Sequence, residues 1–108
     1  MTFNEYQDLA QTTAVYPSTY SIIYPALGLA GETGEVVEKV KKLLRDSNTV
    51  PDEAFVENVK KELGDVLWYV AILARDLGIK LDDVAQANYQ KLKDRQQRNQ
   101  IHGSGDNR

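Results

Sequence analysis

The sequence predicts an all-α fold, a bundle of four helices, on the basis of three observations. Apolar residues recur at helical spacing over most of the 108 residues. No segment shows the long alternation of apolar and polar residues, or the Asn-Gly turn, that would predict a β-hairpin. The three prolines, Pro17, Pro25 and Pro51, lie where predicted helices begin or end. A chain of this length forms one domain, and we expect it to span residues 1–98, followed by a flexible polar tail over 99–108.

The first two helices are delimited by proline-containing turns. The first is predicted from about Thr2 to Ala14, before the sequence YPSTY. The second begins near Pro25, because proline suits the first position of a helix, and ends around RDSN.

The last two helices carry clearer signals. The third begins with PDEAF, where Pro51 opens the helix and two acidic residues favour the positive end of its dipole. It ends at DLGI, because Gly78 readily adopts the left-handed conformation of a C-terminal cap. The fourth begins at Asp82 or Asp83 and ends at about Arg98.

The composition excludes several classes of protein. The chain carries 13 Lys and Arg against 16 Asp and Glu, whereas nucleic-acid-binding domains are usually basic. No cysteine is present, so disulfides and thiolate metal sites are excluded. The longest apolar stretch, VLWYVAILA at residues 66–74, is too short to span a membrane, and the N-terminus lacks the pattern of a signal peptide. We therefore expect a cytoplasmic protein that binds neither nucleic acid nor a membrane.

Two pairs of carboxylates stand near the apolar faces of the second and third helices. Glu32 and Glu35 form one pair at i,i+3, and Glu62 and Asp65 form the other. Most helix glutamates are solvated or paired with a lysine one turn away, but neither Glu32 nor Glu62 has a cation at such a position. Like charges this close repel, and partial burial raises the cost. A hard divalent cation such as Mg²⁺ or Mn²⁺ is the simplest ligand to neutralise them. A di-iron site is disfavoured, because it needs Glu-x-x-His and the single histidine, His102, lies in the tail.

The two carboxylate motifs also carry a family resemblance. GETGEVVEKVKK, followed by KKELGDVLWYVAILARDLGI, resembles the all-α nucleoside triphosphate pyrophosphohydrolases of the MazG type, over about residues 26–108. The resemblance implies a four-helix, MazG-like bundle assembled as a homodimer or homotetramer. It implies Mg²⁺-dependent hydrolysis of a nucleoside or deoxynucleoside triphosphate to the monophosphate and pyrophosphate, for nucleotide-pool control or house-cleaning, with Mn²⁺ as a possible substitute. By motif position Glu32, Glu35, Glu62 and Asp65 would hold the metal. One of these carboxylates would also accept a proton from the attacking water, and Glu35, the more solvent-facing of its pair, is the candidate.

Residues that bind the substrate are expected on three helices. Asn88, Lys91 and Arg95 share one face of the fourth helix and match the family's Asn-x-x-Lys-x-x-x-Arg arrangement, although an ordinary solvated face has the same composition. Lys39 lies beside the first carboxylate pair and either contacts phosphate or pairs with a glutamate. Trp68 either stacks on the base or packs within the protein or against another subunit.

Two other functions are compatible with the sequence. One is a non-catalytic helical interaction or regulatory module, in which the acidic pairs are surface decoration. The other is a related all-α pyrophosphatase that acts on a different phosphorylated nucleotide.

Overall fold

The computed structural model of the protein describes residues 1–46 and 50–108, and in this part of the chain it contains four α-helices and no β-strand. The helices are α1 (Phe3–Gln11), α2 (Ile23–Asp46), α3 (Glu53–Asp76) and α4 (Leu81–Gln97), with one 3₁₀ turn at Ser18–Tyr20 before α2. The all-α prediction is confirmed. Assembly into a homo-oligomer stays a prediction.

The helix boundaries differ from the predicted ones by a few residues. Helix α1 ends at Gln11, three residues early. Helix α2 begins two residues before Pro25, which still lies in the first turn, where no N–H is needed for the helix. Its predicted end includes residues 47–48, which lie outside the described residues. Placing the start of α3 at Pro51 was wrong, because the Asp52 side chain accepts from the N–H of Phe55 (2.8 Å) and caps a helix that begins at Glu53.

Helices α2 and α3 form an antiparallel hairpin. Gly28 lies against Tyr69 near one end of the contact, and Lys39 approaches Glu62 further along. Residue numbers therefore rise along α2 as they fall along α3. The buried core lies elsewhere, where α1, α3 and α4 meet; its buried residues are Ala10, Ala71, Ile72 and Leu81.

One buried side chain joins three helices at this core. The amide nitrogen of Gln7 donates to the main-chain oxygens of Ala71 (3.1 Å) and Ile79 (3.0 Å), and its oxygen accepts from the N–H of Leu81 (3.1 Å). Leu81 is the first residue of α4, and its N-cap, Lys80, makes no side-chain capping bond. Gln7 therefore provides the acceptor for an N–H group at the start of α4 that the N-cap side chain does not bind.

The end of α3 anchors the segment that leads into α2. The carboxylate of Asp76 accepts from the Tyr16 hydroxyl (2.5 Å) and from the N–H of Ile22 (3.0 Å). Ile22 has φ +70°, an uncommon conformation for a β-branched residue. Burial, followed by the bond to Asp76, raises the pKa of Tyr16 to about 12. Two residues beyond Asp76, Gly78 has φ +72°, as predicted for the helix cap.

The monomer has an extended surface for its mass. Its accessible surface is 7847 Å², whereas a monomer of this size typically exposes about 6,050 Å². Its radius of gyration is 16.7 Å, against about 13 Å for a compact chain of this length. Several large apolar residues of α2 and α3 are exposed, among them Leu27, Val37, Val56 and Leu63. Within the described ranges, no helix has both the length and the apolar character needed to cross a membrane.

Candidate metal centre

A close approach between α2 and α3 positions the candidate site. A Cβ atom added to Gly28 would lie 2.1 Å from Cε1 of Tyr69, so only glycine lets the two helices approach this closely. Glu32 lies one turn beyond Gly28 on the same face of α2, and Asp65 lies one turn before Tyr69 on α3. The Gly28–Tyr69 contact therefore sets Glu32 opposite Asp65.

Three carboxylates meet at this point of the hairpin. Glu32, Glu62 and Asp65 each offer one oxygen, and these oxygens all lie within 4.8 Å of one another. Glu32 and Glu62 are partly buried, and Asp65 is exposed. A magnesium ion binds oxygens at about 2.1 Å, so ligands on opposite sides of it are about 4.2 Å apart. Neighbouring oxygens around such an octahedral ion are about 3.0 Å apart, so the three side chains would move closer together on binding it, and an all-oxygen donor set suits a hard cation.

The cluster is electrostatically unfavourable without a cation. Burial, followed by the charges of Asp65 and Glu62, raises the pKa of Glu32 above its ordinary value. Lys39 offers limited compensation, since its Nζ lies 4.0 Å from Oε1 of Glu62 at the outer limit of an ion pair. One lysine at that distance leaves the three carboxylates with a net negative charge, which favours cation binding.

The fourth predicted ligand lies at the edge of this group. Glu35 is exposed and does not belong to the set of oxygens within 4.8 Å. It lies one helical turn from Glu32, and its charge is the smallest of the contributions that raise the pKa of Glu32. Its roles as a metal ligand and as the base stay predictions.

Open space adjoins three glycines that are close to the carboxylates in the sequence. A Cβ atom built on Gly31 or Gly34 of α2, or on Gly64 of α3, would meet no atom of the described residues within 4 Å. Gly31 and Gly34 flank Glu32 in the sequence, and Gly64 lies between Glu62 and Asp65. At about 100° per residue, Gly34 and Gly64 face away from Glu32 and Glu62, so this space lies beside the two helices, where another helix can approach.

Trp68 packs within the chain. Its indole N–H donates to Oγ1 of Thr13 (2.8 Å), and its ring meets Tyr69 edge-on with 5.0 Å between ring centroids. The ring also packs against the core cluster. This geometry agrees with the packing alternative considered for Trp68, and stacking on a nucleobase stays a prediction.

The predicted phosphate-binding residues of α4 form a second polar group. Asp106 lies between two of them, with Oδ1 at 3.2 Å from Nζ of Lys91 and 3.5 Å from Nη2 of Arg95. Asn88, one turn before Lys91, is exposed. Among the ion pairs of the described residues, none joins these cations to the carboxylates of α2 and α3. The contact between Asp106 and the two cations could not be predicted from the sequence, because it depends on how the chain turns after α4.

The fold and the site define an all-α protein with a carboxylate centre suited to a hard divalent cation. The family model described as the MazG nucleotide pyrophosphohydrolase domain matches residues 24–99, and the chain belongs to this family. The predicted resemblance is thereby confirmed. The chain is also similar to the Gene 37 protein of Mycobacterium phage L5, with 46% identity over 109 residues that cover 95% of this chain and 96% of that protein. No match was found among solved structures.

Proposed function

We propose that the protein hydrolyses nucleoside or deoxynucleoside triphosphates between the α and β phosphates, releasing a nucleoside monophosphate and pyrophosphate. The observation that carries this proposal is the meeting of Glu32, Glu62 and Asp65 within 4.8 Å in a chain of the MazG family. Three carboxylates that close repel one another, and a divalent cation would neutralise this repulsion.

In the proposed mechanism Glu32, Glu62 and Asp65 hold a magnesium ion, for which manganese can substitute. When bound, this ion neutralises charge that develops on the phosphates and makes water more acidic. Glu35, exposed beside the cluster, accepts the proton of the attacking water. Lys39, close to Glu62, contacts the phosphate chain near the metal ligands.

The α4 cations are proposed to bind phosphate oxygens. Lys91 provides a mobile charge, and the planar guanidinium of Arg95 provides donors in a fork that matches phosphate. Asn88 lies one turn before Lys91 and extends the same polar face. Because no ion pair among the described residues joins these cations to the carboxylates of the same chain, we propose that they serve the carboxylate cluster of a second copy.

A homodimer or homotetramer is part of this proposal. The accessible surface of the monomer exceeds the value typical of its mass by about 1,800 Å². This excess falls in the range that each subunit buries in obligate homodimers. The exposed apolar side chains of Leu27, Val37 and Leu63 are the kind of surface that such an interface covers.

The test is a hydrolysis assay over common and damaged triphosphates, with chromatography of the nucleotide product and separate detection of pyrophosphate and orthophosphate. Magnesium-dependent release of monophosphate and pyrophosphate is expected. Orthophosphate release would refute the proposed bond cleavage. Turnover of another phosphorylated nucleotide instead would favour the related pyrophosphatase, and absence of turnover on every substrate would favour the interaction module.

Matched variants connect the activity to the cluster. We expect Glu62→Gln and Asp65→Asn each to lower kcat/KM at least about 100-fold and to weaken Mn²⁺ binding measured by calorimetry. Glu57→Gln is the control, because Glu57 is an exposed α3 residue whose carboxylate lies 3.9 Å from Lys60 on the same helix. It should leave both quantities within about twofold of wild type. Equal effects of all three changes would exclude a specific metal centre.

A further inference from the structure

The chain after α4 forms a loop, residues 100–108, built around one arginine. Nη1 of Arg108 donates to the main-chain oxygen of Gly105 (2.6 Å), and its other two nitrogens donate to two more main-chain oxygens of the loop. Gly103 and Gly105 have φ +152° and +85°, and a Cβ atom on Gly103 would lie 2.9 Å from Cδ of Arg108. The loop therefore has an internal hydrogen-bonded organisation that depends on glycine at these positions.

This C-terminal loop covers the cations of α4. Arg95 is only 4% exposed, and its Nη2 donates to the main-chain oxygen of Asp106 (2.7 Å). Asp106 is 85% exposed in its side chain and sits between Lys91 and Arg95. Lys91, followed by Arg95, lowers the pKa of Asp106 below its ordinary value. A carboxylate anion from the loop thus lies on the two predicted phosphate ligands.

The arginine is incompletely satisfied in this arrangement. Nε of Arg95 is buried and has no hydrogen-bond partner in the part of the chain that the structure describes. A buried donor without a partner carries an energetic penalty, and a guanidinium offers Nε and Nη2 side by side for a two-pronged acceptor. Here Asp106 meets only Nη2, at 3.5 Å through Oδ1. A phosphate group has more charge and more acceptor oxygens than this carboxylate, so it can satisfy both nitrogens.

We propose that the C-terminal loop is a displaceable cover on the phosphate-binding cations, in which Asp106 acts as an internal counter-anion that a phosphate group of the ligand replaces. The identity of the anion as a phosphate rests on the proposed function. The Asp106 carboxylate is largely in water and Lys91 is partly exposed, so their ion pair exchanges readily. The three side-chain bonds of Arg108 lie within the loop and can be retained as it moves away, whereas the bond from Nη2 of Arg98 to the main-chain oxygen of Arg108 (2.6 Å) must open.

The experiment measures inorganic pyrophosphate binding by calorimetry with divalent metals removed, so that the carboxylate cluster takes no part. Asp106→Asn keeps the main-chain contacts of the loop but removes the competing charge. It should tighten pyrophosphate binding by about three- to tenfold. Asp83→Asn is the matched control, because it removes an exposed carboxylate in the first turn of α4, about two turns before Lys91, and it should change the affinity less than about twofold.

A second variant and a second readout guard against misfolding effects. Arg108→Gln loosens the loop while keeping Asp106, and it should also tighten pyrophosphate binding. In the wild-type protein, saturating pyrophosphate should speed amide hydrogen exchange over residues 100–108. Binding by Asp106→Asn that is unchanged, weaker or undetectable would overturn the proposal, as would slower exchange in the loop, which would mean that the loop closes over the anion.

The experiment on the C-terminal loop and the hydrolysis assay of the proposed function can fail independently of each other. Tighter pyrophosphate binding by Asp106→Asn in a protein that hydrolyses no triphosphate would support the loop and reject the enzyme. Triphosphate hydrolysis with no effect of Asp106→Asn on pyrophosphate binding would support the enzyme and reject the loop.

Discussion

Replacing Gly28 with alanine tests the contact that brings the carboxylates together. The added Cβ would lie 2.1, 2.3 and 2.6 Å from three ring atoms of Tyr69, whereas carbon atoms in contact are normally about 3.5–4.0 Å apart. The ring has little room to move, since Trp68 meets it edge-on at 5.0 Å and Tyr24 lies 6.5 Å away, centroid to centroid. Alanine at position 28 must therefore push α2 away from α3 or distort the aromatic packing.

The size of the effect follows from two opposing terms. Overpacking of this severity costs about 3 kcal/mol. The change from glycine to alanine inside a helix returns about 1 kcal/mol. The free energy of unfolding of Gly28→Ala should therefore fall by about 2 kcal/mol, which corresponds to roughly 10 °C in Tm for a domain of this size. Separation of the helices should also weaken Mn²⁺ binding, because Glu32 moves away from Asp65.

The same helix provides matched controls. Gly31→Ala and Gly34→Ala add the same atom where nothing lies within 4 Å, so each should raise the free energy of unfolding by up to about 1 kcal/mol. Urea denaturation followed by circular dichroism, at one fixed protein concentration, measures all three variants. Adding Tyr69→Leu to Gly28→Ala should give a loss smaller than the sum of the single changes. A Gly28→Ala protein as stable as Gly31→Ala would refute the close approach of α2 and α3.

Three further changes test other contacts. Gln7→Leu leaves the main-chain groups that Gln7 joins without hydrogen-bond partners, so the free energy of unfolding measured by urea denaturation should fall by about 3 kcal/mol. A fall of less than about 1 kcal/mol would contradict the bridging role of Gln7. Burial raises the pKa of Asp76, but the hydrogen bonds from Ile22, Tyr16 and Arg75 outweigh burial and hold this pKa below its ordinary 3.8. The ionised Asp76 therefore stabilises the folded state above pH 3.8, and this contribution is lost as the pH falls through the lowered pKa. Between pH 2 and 6, Asp76→Asn should therefore have a lower and flatter Tm profile than wild type, and parallel profiles would count against this anchor. Since the pKa of Glu32 is raised, the ionised form of Glu32 destabilises the metal-free folded protein at neutral pH. Glu32→Gln should therefore keep or raise the Tm of the metal-free protein but abolish the increase in Tm on adding Mn²⁺. A lower metal-free Tm would argue against charge repulsion.

Local chemistry was sufficient to predict much of this protein. Helical periodicity, turn residues and caps depend on neighbours within a few positions, so the four helices and the left-handed Gly78 were predictable. The acidic pairs were visible for the same reason, because i,i+3 spacing places two side chains on one helical face. Their order along the chain was enough to recognise the family. The error at the start of α3 arose because Asp52, one residue after Pro51, caps the helix with its side chain.

Tertiary structure decided which of these residues meet. Gln7 and Asp76 are ordinary polar residues in the sequence, and only the packing of α1 against α3 and α4, and of the segment before α2 against α3, makes them anchors. The contact of Asp106 with the α4 cations likewise depends on the path of the chain after the last helix.

By itself the sequence determined that each of two helices carries a carboxylate pair near its apolar face, because helical periodicity is a local property. Only the tertiary structure decided that Glu32 of one pair joins both members of the other, while Glu35 remains at the edge. That selection depends on the angle and distance between α2 and α3, which the contact of Gly28 with Tyr69 sets across 41 residues of chain. Neither helix alone specifies the distance between them, since a glycine on one helix allows a close approach only where a side chain of the other helix packs against it.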